Sequence, residues 1–177
     1  VAGSMGPTGE IFMPVGTMPH EEGVAAFAEQ AAALKEGGAD VLWIETMSSE
    51  EELRAAVEGA ATAGLPIVTT MSFDTNGRTM MGMTPQAFGA LAETLAVRPV
   101  AIGANCGTRA SELIATVLGI TGARPDAAVV AKGNCGIPQY QDGHIHYTGT
   151  PELMADYARI ALDAGAKIIG GCCGTSP

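Results

Sequence analysis

One unit recurs along this chain: an amphipathic helix ends in glycine, and a short apolar strand follows within a few residues. Glu21 to Glu36 carries Val24, Phe27, Ala31 and Leu34 on one helical stripe, stops at Gly37-Gly38 and leads into Val41-Leu42-Trp43-Ile44. Ser48 and Glu51 form a capping box for a helix with Leu53, Ala56, Val57 and Ala60 facing inward. Gly64 ends that helix before the strand Pro66 to Thr70. Thr84-Pro85 and Thr150-Pro151 each pair an N-cap with proline at the first helical position. The first opens a helix with Phe88, Leu91 and Leu95 in its stripe, the second one with Leu153, Tyr157 and Ile160 inward. Val100 to Gly103, Ala127 to Ala131 and Ile168 to Gly170 are further strands, and Leu113, Ile114, Val117 and Leu118 belong to the helix after the first of them.

With Val1-Ala2-Gly3, this makes six strands separated by helices. They are short and continuously apolar, as strands buried on both faces of a parallel sheet must be. Alternation of strand and helix without hairpins means α/β. A doubly wound sheet accommodates six strands, but the even spacing and the reactive residues at strand C-termini favour a TIM (β/α)8 barrel. A complete barrel needs about 250 residues. The 177 present match six of eight strands, the third to the eighth, in a single domain over residues 1–177. The chain begins at Val1 in what reads as strand interior, so an N-terminal truncation is expected.

Composition narrows the functions. A formal net charge of −10 disfavours nucleic acid and anionic membrane surfaces as partners. No apolar run approaches the length of a membrane helix, and no signal segment opens the sequence. Adjacent Cys172 and Cys173 rarely form an ordinary disulfide, so a reducing cytoplasm and metal or redox chemistry are expected for the four cysteines.

Three strand ends carry the chemistry: Ile44-Glu45-Thr46, Asn105-Cys106-Gly107 and Gly170-Gly171-Cys172-Cys173-Gly174. In a parallel barrel all three open on one rim. Three thiolates there suit zinc and leave its fourth position open, the arrangement of a catalytic site. The glycines at 170, 171 and 174 would let the backbone aim neighbouring cysteines at one metal. Cys135 reads as a buried, inert thiol. His144 and His146 would share one side of a strand, but Gln141-Asp142-Gly143 before them is turn-like, so a solvated loop is expected.

Together with Val1-Ala2-Gly3-Ser4, Gly6-Pro7 and Asn134-Cys135-Gly136, these motifs resemble the homocysteine S-methyltransferase family over the whole chain. That family includes betaine–homocysteine methyltransferase and the homocysteine module of cobalamin-dependent methionine synthase. The resemblance implies Cys106, Cys172 and Cys173 as zinc ligands and Glu45 as the group holding the ammonium of homocysteine. It sets Asn105 beside the first ligand, at the metal or in the substrate pocket, and Asn134 in the equivalent motif of the seventh strand. Ser72-Phe73-Asp74 through Gly77-Arg78-Thr79 looks more like the methionine-synthase branch than the animal betaine enzymes.

The implied reaction is zinc-dependent transfer of a methyl group to the homocysteine thiolate, giving methionine. Its donor, a small molecule or a corrinoid, stays open, as does oligomeric state. Lacking the first two strands, the 177 residues alone are expected to be inactive. Two other readings compete. In a thiol/disulfide redox protein Cys172 and Cys173 would act without Cys106, and in a non-catalytic small-molecule-binding barrel the cysteines would be inert.

Overall fold

A computed structural model describes residues 1–107 and 109–175. Six parallel strands form its main sheet: β1 (Ala2–Met5), β2 (Val41–Met47), β3 (Ile67–Met71), β4 (Ala101–Cys106), β5 (Val129–Gly133) and, last in the chain, β8 (Ala166–Gly171). They lie in the order β1-β2-β3-β4-β5-β8. Five helices connect them: α1 (His20–Glu36), α2 (Glu50–Ala61), α3 (Pro85–Leu91), α4 (Ala110–Ala123) and α5 (Pro151–Asp163). Among the described residues β1 pairs only with β2 and β8 only with β5, so the sheet is an incomplete TIM barrel with two free edges.

Strand alternation divides the apolar side chains into two layers. Leu42, Ile44, Ile67, Met71, Ile102, Ala104, Val129 and Ala131 belong to the large core packed with the helices. Val68, Ala101 and Val130, with Trp43 and Ile168 against them, form a much smaller cluster in the barrel interior. That interior opens between the free edges as a cavity of about 420 Å³, whose lining includes Ala2 and Ser4 of β1 and Ile168 of β8.

The helix caps are local. Thr84 accepts from the Ala87 N–H at 3.1 Å and Thr150 from the Leu153 N–H at 3.2 Å. The α2 cap differs from the expected Ser48–Glu51 box by one residue: Ser49 accepts from the Glu52 N–H at 3.2 Å. The Glu52 carboxylate, almost fully buried, instead accepts from the Thr8 N–H and hydroxyl at 2.7 and 2.8 Å.

Two expectations fail. Leu153 and Ile160 of α5 are 44% and 52% exposed; Tyr157 faces the core as expected, joined there by Ala161. The stripe continues from Tyr157 to position 161 rather than 160, so helical phase carries Leu153 and Ile160 to the flank. The segment read as a solvated loop is an antiparallel hairpin of β6 (Pro138–Gln141) and β7 (His144–Tyr147). Asp142 and Gly143 both take positive φ, 51° and 82°, the geometry of a tight two-residue hairpin turn. His144 and His146 are exposed on it and belong to no metal-ligand group among the described residues.

The core contains one polar misfit. Thr69 is fully buried between Ile67 and Met71, and its hydroxyl has no hydrogen-bond partner among the described residues. Thr69→Val keeps the shape and removes the unpaired hydroxyl, so it is expected to raise stability by about 1 kcal/mol. A urea midpoint lowered by the substitution would show that the hydroxyl has a partner in solution.

Candidate metal and substrate site

The site grows from two strand ends that leave the regular alternation. Cys106 (φ 59°) ends β4 and Thr46 (φ 66°) lies near the end of β2, both left-handed, and for a β-branched residue such as Thr46 that is strained. Asn105, fully buried between them, holds the arrangement. Its Oδ1 accepts from the Thr46 N–H at 2.9 Å and the Thr70 hydroxyl at 2.7 Å. Its Nδ2 donates to Thr46 Oγ1 at 2.8 Å and lies 3.4 Å from Cys106 Sγ and 3.9 Å from Cys172 Sγ. The side chain faces the sulfurs through its amide nitrogen.

Cys106, Cys172 and Cys173 converge. Sγ of Cys106 is 3.0 Å from that of Cys172 and 3.8 Å from that of Cys173, and the last two are 4.0 Å apart. A tetrahedral site with bonds of about 2.3 Å needs sulfurs about 3.8 Å apart. Two edges of the triangle already meet that, and the third is short by about 0.8 Å, within reach of a small side-chain rotation. Among the described residues this is the one group of three or more potential ligands. A soft, three-sulfur donor set with an exposed member fits zinc with an open position.

The electrostatics follow from crowding. The hydrogen bond to Cys172, then burial, pushes the Cys106 thiol far up. The same bond does most to hold Cys172 down to about 5, against its burial, and the Asn105 amide adds to it. The contact thus favours a thiolate on Cys172 and a thiol on Cys106.

Around the sulfurs the loops are tied by main-chain and amide contacts. Cys172 N–H donates to the Gly133 carbonyl at 2.7 Å, fixing the end of β8 against β5. Asn134 joins the two cysteine-bearing loops: its Nδ2 donates to the Gly107 carbonyl at 2.8 Å and its Oδ1 accepts from the Cys173 N–H at 3.0 Å. Cys135, half-buried and outside the cluster, donates its N–H to the Cys173 carbonyl at 2.9 Å. Below, Gly133 N–H donates to the Tyr157 hydroxyl at 2.9 Å, and burial pushes that phenol up to about 12 despite the bond. Of the glycines at 170, 171 and 174, Gly174 alone takes positive φ (76°). A Cβ there would also strike the Tyr147 ring of the hairpin, 2.2 Å away.

Glu45 faces the barrel interior. Its Oε1 accepts from the Ser4 hydroxyl at 2.5 Å and its Oε2 from Lys132 Nζ at 2.6 Å. Lys132 in turn lies 5.0 Å from the centre of the Trp43 ring. Burial alone would raise the Glu45 carboxyl, but the bonds from Lys132 and Ser4 outweigh it and hold the group below its ordinary value. Sequence reasoning singled out Glu45, Asn105 and the cysteines; it gave Thr46 no separate role and did not anticipate Lys132 or the bridging contacts of Asn134. An inward-facing charged residue in the apolar run Val129–Gly133 was the available signal for Lys132.

Known proteins resemble this chain in sequence and in fold. The family model described as homocysteine S-methyltransferase matches residues 1–177. Methionine synthases of Mycobacterium leprae and Mycobacterium tuberculosis are each 30% identical over the whole chain, which spans 15% of their length. The apo homocysteine methyltransferase MmuM from Escherichia coli superposes with a TM-score of 0.77 at 25% identity, covering 99% of this chain and 58% of that one. Its metallated form gives a TM-score of 0.67 at 26% identity over 87% of this chain and 49% of that one. On sequence and fold alike, the chain belongs to the homocysteine S-methyltransferase family.

Proposed function

We propose that residues 1–177 form a homocysteine-binding domain in which Cys106, Cys172 and Cys173 hold zinc, serving methyl transfer to homocysteine with methionine as product. The observation that carries this reading is the convergence of three sulfurs, none more than 4.0 Å from another, at the ends of two strands far apart in sequence. Zinc bound there would keep an incoming thiol deprotonated yet nucleophilic at neutral pH. Asn105 and Asn134 fix the loops bearing the three sulfurs, and so the direction from which a substrate sulfur can approach. Glu45, carboxylate at neutral pH, offers the counter-charge for the substrate ammonium. Orientation of that sulfur toward the donor methyl is then the protein's main contribution. The donor is a small molecule or a corrinoid-bound methyl group.

The rival readings fare worse. A redox pair formed by Cys172 and Cys173 leaves Cys106 without a role, yet Cys106 is the nearer partner of Cys172, at 3.0 against 4.0 Å. An inert barrel gives no reason for the thiols to converge. No described helix is long and apolar enough to cross a membrane.

Cobalt substitution tests the proposal. The reduced chain is expected to bind one Co²⁺ with sulfur-to-metal charge-transfer bands of three thiolates, and homocysteine to intensify them as a fourth sulfur enters. A chain that takes up no stoichiometric metal, or whose bands ignore homocysteine, would rule the reading out.

A further inference from the structure

Lys132 has no assigned part in the site, yet its position is specific. The register aligns Asn105 of β4, Lys132 of β5 and Gly170 of β8, one layer below Cys106, Gly133 and Gly171. All three belong to the inward-facing set, and Gly170 offers no side chain beside the lysine stem. The ammonium meets Glu45 at 2.6 Å, and both side chains remain about one-fifth exposed along the same interior cavity. In so partly buried a pair desolvation offsets much of the mutual attraction, so its presence is weak evidence for a purely stabilising role. What the pair does supply is one positive and one negative group side by side, facing an interior cavity, with the lysine one residue layer below the strand end that carries Cys106.

We infer that Lys132 recognises the carboxylate of the amino-acid substrate, so that Glu45 and Lys132 together clamp its zwitterion. The inference rests on the homocysteine reading above and names the group that would complete its substrate contacts. The argument is one of charge balance. Both oxygens of Glu45 are occupied, one by Ser4 and one by Lys132. An incoming ammonium must therefore compete with Lys132 for this one carboxylate, either sharing it, so that two cations face one anion, or displacing the lysine from Oε2. A plain amine would leave the lysine short of counter-charge in a partly buried cavity, at a cost comparable to what it gains from Glu45. A ligand carrying its own carboxylate on the same carbon re-pairs Lys132 as it displaces it, giving a closed ring of alternating charges. The clamp thus selects amino-acid thiols over simple aminothiols.

Calorimetry on the zinc-loaded chain with three thiols separates the possibilities. Homocysteine carries both charges, 3-mercaptopropylamine only the ammonium and 4-mercaptobutanoate only the carboxylate. Native protein is expected to bind homocysteine at least about tenfold more tightly than 3-mercaptopropylamine, the worth of one charged hydrogen bond. Lys132→Met should weaken homocysteine and 4-mercaptobutanoate by about 10- to 100-fold. It should leave 3-mercaptopropylamine unchanged or tighter, because Glu45 is freed, while Lys132→Arg should retain most of the homocysteine affinity. Equal loss of all three thiols in Lys132→Met, or unchanged homocysteine affinity, would overturn the assignment while sparing the homocysteine reading. If the native zinc-loaded chain binds none of the three, that reading falls and the clamp falls with it.

Discussion

Cys106→Ala is expected to strip the chain of zinc while leaving it folded. Cys106 is only half-buried and ends its strand, so losing its sulfur opens no large cavity in the main core. Its electronic effect is far larger. Two thiols then remain on one loop, 4.0 Å apart, and the contact that holds Cys172 down is gone. Removing a supporting partner of a metal ligand typically weakens binding by about 10- to 100-fold. Removing one of three ligands should exceed that, so competition with a chromophoric chelator is expected to show at least about a 100-fold drop in zinc affinity. Cys172→Ala and Cys173→Ala should behave alike. Cys135→Ala should retain zinc, since Cys135 touches the site through main-chain atoms alone. Stoichiometric, tightly held zinc in Cys106→Ala would show that the three sulfurs do not act as a set.

Much of this was legible in the sequence because it depended on local period or on topology. Strands β2 to β5 and β8 betray themselves as apolar runs, and parallel strands necessarily bring their C-terminal ends to one rim. That rule assigned Glu45, Cys106 and the Cys172-Cys173 pair to one rim before any distance was known. It gave no view of pairings made deep in the interior, where Lys132 meets Glu45 across 87 residues and Asn105 meets Thr46 across 59. A lysine or threonine offers little sign of its partner when the contact depends on side-chain reach and not on spacing. The β6–β7 hairpin was hidden for another reason: its strands are exposed and polar, so the apolar pattern that marks core strands is missing. The Asp142-Gly143 pair was the sign of it, and both residues take the positive φ that such a turn requires.

Asn105→Ala should be the most damaging single change outside the cysteines, because one side chain serves the fold and the site together. The residue is fully buried and makes close contacts with both Thr46 and Thr70. Alanine would leave the Thr46 N–H and the Thr70 hydroxyl facing a small void, each costing about 1–3 kcal/mol. It would also release the side chain that bonds both the Thr46 N–H and its hydroxyl at φ 66°, a conformation that itself costs about 1–3 kcal/mol. A loss of about 3–5 kcal/mol in urea unfolding is therefore expected. Asn105→Asp separates the two roles. It keeps the acceptor for Thr46 and Thr70, so much of the stability should survive. Its second oxygen, however, replaces the amide that lies 3.4 Å from Cys106 Sγ, setting a carboxylate against sulfurs that must carry negative charge to bind metal. Zinc affinity in Asn105→Asp should therefore fall by more than its stability suggests, and most steeply above the pH at which the carboxyl ionises. Should Asn105→Asp bind zinc like the native chain, the amide nitrogen has no part in holding the thiolates, and Asn105 is a structural residue alone.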